Sequence, residues 1–184
     1  ARYDAQGQLI GSVVDLTDDT WPYPTYYPVN DVAVAAAGTD WGVVFQVQQA
    51  SGGSARNLYF MRLDSSGTVV QPPVLVASDA YYPELTWSGL YFGFAYNDLF
   101  AGPSFEVIDG SGNLVSGPVS FGSGASADVL SNGVSYALSV VDWGNARYVL
   151  HVLDLMGVEQ STLIVGELDA QGMSFHEGNT LHWT

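Results

Sequence analysis

Aromatic side chains are concentrated in one early segment, which reads Trp-Pro-Tyr-Pro-Thr-Tyr-Tyr-Pro over residues 21–28. A copy of its end, Tyr-Tyr-Pro, follows at residues 81–83. Flat rings with polar edges suit sugar or peptide binding because they supply contact area at a low entropic cost. The alternative is that these rings pack over the core while the prolines stiffen a loop. The residues predicted to contact a ligand are Trp21, Tyr23, Tyr26, Tyr27, Tyr81 and Tyr82.

Two carboxylates, Asp98 and Asp142, each end a segment rich in aromatic and branched residues that predicts a strand. If these two strand ends meet at one edge of the fold, the pair could act as an acid and a base on a glycoside. An Asp at a strand end is more typical of a cap on the following turn. We therefore include both among the predicted ligand contacts and assign no catalytic residue.

Other chemistry-bearing residues are sparse. His151, His176 and His182 show no metal-ligand or catalytic-triad spacing. The chain has no cysteine, which removes thiolate nucleophiles and thiolate metal sites. Residues 109–113, Asp-Gly-Ser-Gly-Asn, match half of a calcium loop but lack its later Glu, so they predict a turn instead. No cofactor is expected from the side chains.

The charge balance limits the possible partners. The net charge is -15 because 19 acidic residues face only four basic ones. Nucleic acid is not an expected partner, since phosphate binding needs a basic surface. Anionic membranes are disfavoured by the same repulsion, and no apolar run reaches the roughly 18 residues that would predict membrane insertion.

One turn signature recurs along the chain. It is an apolar residue followed by Asp-x-x-Gly, with the Asp at positions 64, 109 and 154, an interval of 45 residues. Further copies stand at residues 4–7 and 169–172. Asp at the first turn position accepts hydrogen bonds from backbone N–H groups, and Gly at the fourth tolerates a positive φ. The signature predicts one hairpin in each repeat.

A second glycine series, at positions 38, 89, 133 and 178, marks another hairpin in each repeat. Four short strands in about 45 residues are the size of one β-propeller blade. We predict an all-β propeller of about four four-stranded antiparallel blades, closed by N-terminal strands that complete the C-terminal blade. The predicted units are residues 29–80, 81–126, 127–172, and 173–184 together with 1–20. Residues 80–83, 124–128 and 167–172 are interpreted as connections between units.

Two segments carry a resemblance to known proteins: Trp-Ser-Gly-Leu-Tyr-Phe-Gly-Phe-Ala-Tyr at residues 87–96 and Ile-Asp-Gly-Ser-Gly-Asn at residues 108–113. Together they look like the repeat of secreted bacterial β-propeller proteins. A four-bladed size also resembles the hemopexin-like class, although the closing disulfide and Tyr-Phe-Phe signature of that class are absent here. The resemblance implies an extracellular or cell-surface bacterial protein and no particular activity. The chain starts at Ala1 in mid-pattern, which indicates a processed mature chain or a fragment.

The sequence favours a non-enzymatic binding module that recognises a carbohydrate or protein partner through an aromatic-rich propeller face. One alternative is a glycoside hydrolase or lyase that uses carboxylates from different blades. Another is a structural subunit of a larger ring or filament. A Ca²⁺ ion held by backbone carbonyls of the central channel is the one cation that the repeat leaves open.

Overall fold

The computed structural model describes residues 6–8, 29–48 and 56–167, and all the strands named below lie within these ranges. They form twelve β-strands in three sheets of four. The first sheet holds β1 (Val29–Ala37), β2 (Asp40–Gln48), β3 (Arg56–Leu63) and β4 (Val69–Ala77). The second holds β5 (Ala80–Trp87), β6 (Phe92–Asp98), β7 (Gly102–Ile108) and β8 (Leu114–Ser120). The third holds β9 (Gly124–Ser131), β10 (Ser135–Asp142), β11 (Arg147–Asp154) and β12 (Glu159–Glu167).

Each sheet is an antiparallel meander, because hydrogen-bonded neighbours follow chain order throughout. We name the four strands of a sheet a, b, c and d in that order. Strand a of the second sheet, β5, packs against strand a of the first, β1, and strand a of the third, β9. Sheets that meet in sequence along their first strands are arranged as propeller blades. The predicted all-β propeller class is therefore confirmed for the part of the chain that the structure describes.

The core lies between the sheets and follows the alternation of side chains along each strand. Phe92, Phe94 and Tyr96 of β6 belong to a buried cluster shared with the first sheet. Ala95, from the same strand, belongs to a second cluster shared with the third sheet. Six successive residues of β6 are buried because both faces of this strand are covered. The outermost strand of that sheet, β8, is mainly exposed.

The predicted Asp-x-x-Gly hairpins between strands c and d are confirmed. In each turn the Asp carbonyl accepts the Gly N–H at 2.9 to 3.0 Å. One side-chain oxygen of the Asp accepts two more N–H groups, those of the residues two and four positions later. Gly67, Gly112 and Gly157 have φ angles of 88°, 79° and 76°, which would strain a side chain. The three turns share one geometry, as their regular spacing predicts.

The connections between sheets are shorter than the sequence analysis predicts. Residues 80–83 belong to β5 and residues 124–128 to β9, so only 78–79 and 121–123 connect the three sheets. The prediction failed because Tyr-Tyr-Pro is more typical of a loop than of a strand. A β-bulge between Tyr81 and Glu84 absorbs the proline within β5.

The predicted fourth unit, residues 173–184 with 1–20, lies outside the described residues, as does the turn at 169–172. Its ring closure stays a prediction. Gly7, in the predicted turn at residues 4–7, is described and has a φ of 77°. The described part of the chain contains no helix with the length and apolar character that a membrane crossing requires.

Candidate functional site

The meander gives the described sheets two rims. The a–b rim consists of the turns between strands a and b and between strands c and d, at residues 38–39, 64–68, 88–91, 109–113, 132–134 and 155–158. The b–c rim consists of the described turns between strands b and c, at residues 99–101 and 143–146, and the connections at 78–79 and 121–123. Hydrogen bonds join the turns and connections of the b–c rim: the Leu99 N–H donates to the Asp79 carbonyl at 2.9 Å.

Exposed aromatic side chains lie mainly at the b–c rim. Tyr82, at the start of β5, is 55% exposed, and Phe100 and Trp143, in the b–c turns, are 83% and 65% exposed. The a–b rim exposes mainly the side chains of Leu90, Val134, Met156 and Val158, together with Trp41, which is 42% exposed beside the first a–b turn. The b–c rim thus presents flat rings to solvent at the ends of two neighbouring sheets.

Backbone strain also lies at the b–c rim. Asp79, Tyr82 and Ala146 have φ angles of 52°, 53° and 51°, and they are the non-glycine residues with positive φ among those described. A left-handed conformation is a true outlier for a bulky residue such as Tyr82. Residues held in such conformations cluster at active sites and ligand clamps, where the surrounding structure keeps the strain in place. The strained Tyr82 is also the exposed aromatic residue of β5.

A cavity of about 300 Å³ lies at the same rim and is lined by Arg56, Asp79, Tyr81 and Leu99. The Arg56 guanidinium lies over the Tyr81 ring, 5.4 Å from its centroid. The Tyr81 and Tyr82 rings meet edge to face with centroids 5.0 Å apart. The cavity therefore combines one cation, one carboxylate and an aromatic wall.

Arg56 differs from the two other arginines that the structure describes. Arg62 forms an ion pair with Asp40 at 2.5 Å, and Arg147 forms one with Asp142 at 3.1 Å. No carboxylate among the described residues lies within ion-pair distance of Arg56. Its N–H groups are thus not committed to a described carboxylate, and they border the cavity.

The structure places Asp98 and Asp142 at the b–c rim, where each caps its own turn. Asp98 accepts the N–H groups of Phe100 and Ala101 at 2.8 and 2.7 Å. Asp142 accepts hydrogen bonds from the side chain and N–H of Asn145 and pairs with Arg147. The Asn145 side chain first, and Arg147 as well, hold the pKa of Asp142 below its usual range. A carboxyl with a lowered pKa is a poor proton donor, so Asp142 does not suit the role of general acid.

A different pair of carboxyls, Glu84 and Asp128, lies on strands a. Glu84 pairs with Ala95 on its neighbouring strand b, and Asp128 pairs with Ser139 in the equivalent place of the third sheet. Burial raises the pKa of Glu84, and the negative charge of Asp128 raises it further. The sequence pattern does not indicate this pair, because interpreting residues 124–128 as a connection removes Asp128 from a strand.

The predicted ligand residues divide by region. Tyr81, Tyr82, Asp98 and Asp142 all lie at the b–c rim, whereas Trp21, Tyr23, Tyr26 and Tyr27 lie outside the described residues. Whether any of them binds a ligand stays a prediction. Phe100 and Trp143 are not among the residues predicted from the sequence, although each stands within two residues of a predicted Asp. No three potential metal ligands group together in the described ranges.

No protein family model and no curated protein matches the chain. Among solved structures, it is similar to a subtype N10 neuraminidase-like protein of A/little yellow-shouldered bat/Guatemala/060/2010, with 14% identity and a TM-score of 0.49, over 78% of this chain and 47% of that one. It is also similar to the catalytic domain of a Coprinopsis cinerea GH62 alpha-L-arabinofuranosidase, with 11% identity and a TM-score of 0.46, over 77% of this chain and 52% of that one. The chain spans about half the length of both structures. Similarities at this level transfer no activity to it.

Proposed function

We propose that this chain is a non-enzymatic carbohydrate-binding module whose binding surface is the b–c rim. The observation that carries the proposal is Tyr82, an exposed aromatic residue held in a left-handed backbone conformation. Such strain lowers stability, and it persists at sites where the side chain serves another purpose.

The chemistry of the rim fits a sugar better than a flat protein surface. A sugar ring has one apolar face that stacks on aromatic rings and a rim of hydroxyl groups that need hydrogen-bond partners. Phe100 and Trp143 offer exposed rings, and the cavity beside Tyr81 offers donors from Arg56 and an acceptor from Asp79. A protein partner is the other interpretation of the same aromatic surface, and the absence of sugar binding would favour it.

The first experiment is an oligosaccharide array followed by calorimetric titration of the best-bound sugar. Phe100→Ala and Trp143→Ala should each weaken binding by about 0.5–1.5 kcal/mol, or roughly two- to tenfold in Kd. Val134→Ala is the matched control, because Val134 is 73% exposed on the a–b rim. Equal losses from all three variants, or binding to no sugar on the array, would contradict the proposal.

A glycoside hydrolase is the second candidate, and the paired Glu84 and Asp128 favour it. Glycoside hydrolysis uses two carboxyls, one of which has a raised pKa, and Glu84 has such a pKa in the presence of Asp128. Hydrolysis of the bound sugar that Glu84→Gln abolishes, while Asp142→Asn leaves it intact, would establish the enzyme and end the binding-only proposal. Stable binding of the intact sugar over long incubation supports the module.

We also propose an extracellular or cell-surface location in a bacterium. This rests on the resemblance of residues 87–96 and 108–113 to the repeats of secreted bacterial propellers. Fractionation of cells that express the full-length protein tests it, and recovery in the cytoplasmic fraction alone would contradict it. The third candidate, a subunit of a larger ring or filament, predicts assembly in light scattering, whereas a stable monomer excludes it.

A further inference from the structure

The two described junctions between sheets share one contact. A Cβ atom built on Gly42 of the first sheet would lie 2.4 Å from the Phe92 ring of the second. A Cβ atom built on Gly93 of the second sheet would lie 2.6 Å from the Tyr136 ring of the third. At each junction an aromatic ring therefore lies directly on the backbone of a glycine in the preceding sheet. Phe92 and Tyr136 are both fully buried.

The two aromatic residues in these contacts, Phe92 and Tyr136, occupy the same register position in their sheets, and Trp41 occupies it in the first sheet. Trp41, Phe92 and Tyr136 each stand three residues after the glycine of the a–b turn, at 38, 89 and 133. Each pairs with the residue that precedes the Asp of the c–d turn, namely Leu63, Ile108 and Leu153. The residue after each is Gly42, Gly93 or Ala137. Gly42 and Gly93 contact the aromatic ring of the next sheet.

In the third sheet, Ala137 stands at the position equivalent to Gly42 and Gly93. A cavity of about 150 Å³ lies there, lined by Leu130, Ser131, Asn132, Ser135 and Ala137. The polar members of this lining bond to one another within the a–b turn. Ser131 Oγ donates to the Ser135 carbonyl at 3.0 Å, and Asn132 Oδ1 accepts the Ser135 N–H at 2.9 Å. An apolar cavity of about 150 Å³ accommodates a group of benzene size. We call this cavity the Ala137 socket.

We propose that the Ala137 socket receives the Leu181 side chain of the C-terminal segment. Leu181 stands three residues after Gly178, the same spacing that separates the turn glycine from Trp41, Phe92 and Tyr136. The sizes also match. Where the preceding sheet has glycine, the next supplies an aromatic ring, and where it has Ala137, the next supplies the smaller leucine.

The contact applies whether the ring closes after four blades or continues, because it concerns only the junction that follows the third sheet. A second copy of the chain is the other possible source of an apolar side chain. Its Trp41 is 42% exposed, unlike Phe92 and Tyr136, and occupies the equivalent register position. Residues 168–184 follow the third sheet in the same chain, which favours Leu181.

The absence of cysteine makes thiol cross-linking a clean test. The full chain is prepared with Ala137→Cys and Leu181→Cys and treated with dibromobimane, which fluoresces when it bridges two nearby thiols. We expect fluorescence in the monomer band. The matched control pairs Ala137→Cys with His182→Cys, because adjacent strand residues point to opposite faces. This control should give little fluorescence.

A further pair, Ala137→Cys with Trp41→Cys, tests the second copy. Cross-linked dimer from this pair would overturn the proposal in favour of self-association. Equal monomer fluorescence from the 181 and 182 pairs, or none from either, would also overturn it. Circular dichroism of each variant, compared with the parent chain, confirms that the sheets are retained.

Discussion

Left-handed backbone positions differ between the two rims. On the a–b rim, every described residue with a positive φ is a glycine: Gly38, Gly67, Gly89, Gly112, Gly133 and Gly157. On the b–c rim, Asp79, Tyr82 and Ala146 adopt the same conformation. Glycine pays no steric cost there, whereas a side chain does. The a–b rim is therefore built for stability, and the b–c rim retains strained side chains.

The turns show the same contrast. The three c–d turns repeat one pattern of hydrogen bonds around an Asp, so repetition of sequence gives repetition of structure. The two described b–c turns differ in length and sequence, at residues 99–101 and 143–146. Binding residues lie disproportionately on loops that a rigid scaffold positions. The difference is consistent with the proposal that the b–c rim serves recognition and the a–b rim serves structure.

The largest loss of stability is expected from a substitution of Gly112 on the a–b rim. A Cβ atom there would lie 2.4 Å from Val74 Cγ2 and 2.9 Å from Phe60 Cδ1, in addition to the unfavourable φ. Gly112→Ala should lower the free energy of unfolding by about 2–4 kcal/mol. Gly38→Ala is the control, because nothing lies within 4 Å of its added Cβ. Its cost should be about 1–2 kcal/mol. Equal losses in urea titrations would show that packing at this rim is unimportant.

The next largest effect is on the pH dependence of stability, and it comes from the core between the rims. There the buried Tyr96 hydroxyl donates a hydrogen bond to Glu106. Burial raises the pKa of Glu106 above its ordinary value of 4.5, although the Tyr96 bond partly opposes this shift. The folded state then binds the proton more tightly than the unfolded state. Stability from this group falls as pH rises above 4.5 until the raised pKa is passed, by up to about 1.4 kcal/mol per pH unit.

Glu106→Gln should remove this loss, because the amide oxygen still accepts the Tyr96 bond and does not ionise. Relative to the parent, the variant should gain stability as pH rises from 4.5. Relative to the parent, Glu159→Gln should instead lose stability as pH rises towards 4.5, since hydrogen bonds from Thr162 and His151 lower the pKa of Glu159. Urea midpoints measured across pH check both. Parallel curves for the parent and Glu106→Gln would contradict the account.

The smallest effect on stability, and the sharpest test of the division, is at Tyr82. Tyr82→Gly should raise the free energy of unfolding by about 0.5–1 kcal/mol, because it relieves the left-handed strain. It should also weaken sugar binding, because the ring is lost. Ala146→Gly is the control for strain alone, because it should give similar relief without the loss of an aromatic ring. A Tyr82→Gly variant that is less stable than the parent, or that binds sugar equally well, would remove the functional explanation of the strain.

The sequence predicted the repeated parts well, because each depends on local chemistry. Asp64, Asp109 and Asp154 form the turns that Asp-x-x-Gly favours, and the interval between them gives the number of strands per sheet. The direction of alternate strands places Asp98 and Asp142 at the same rim. These features need no knowledge of long-range packing.

The features that the sequence did not predict depend on contacts between residues far apart in the chain, which a local sequence pattern does not show. Tyr82 and Pro83 lie in a strand only because a bulge opposite Asn97 and Ala95 absorbs the extra residue. The exposure of Phe100 and Trp143 depends on how their turns pack against neighbouring connections. The pKa of Glu84 is raised first by burial and then by Asp128, which comes from another sheet.

The most direct test of the central claim is amide chemical-shift mapping of the labelled chain, titrated with oligosaccharides of glucose, xylose, mannose and galacturonate. The account predicts that at least one sugar shifts the amides of residues 79–82, 98–101 and 143–146, and leaves those of 88–91, 132–134 and 155–158 unchanged. Shifts confined to the a–b rim, or no shifts with any of these sugars, would contradict it.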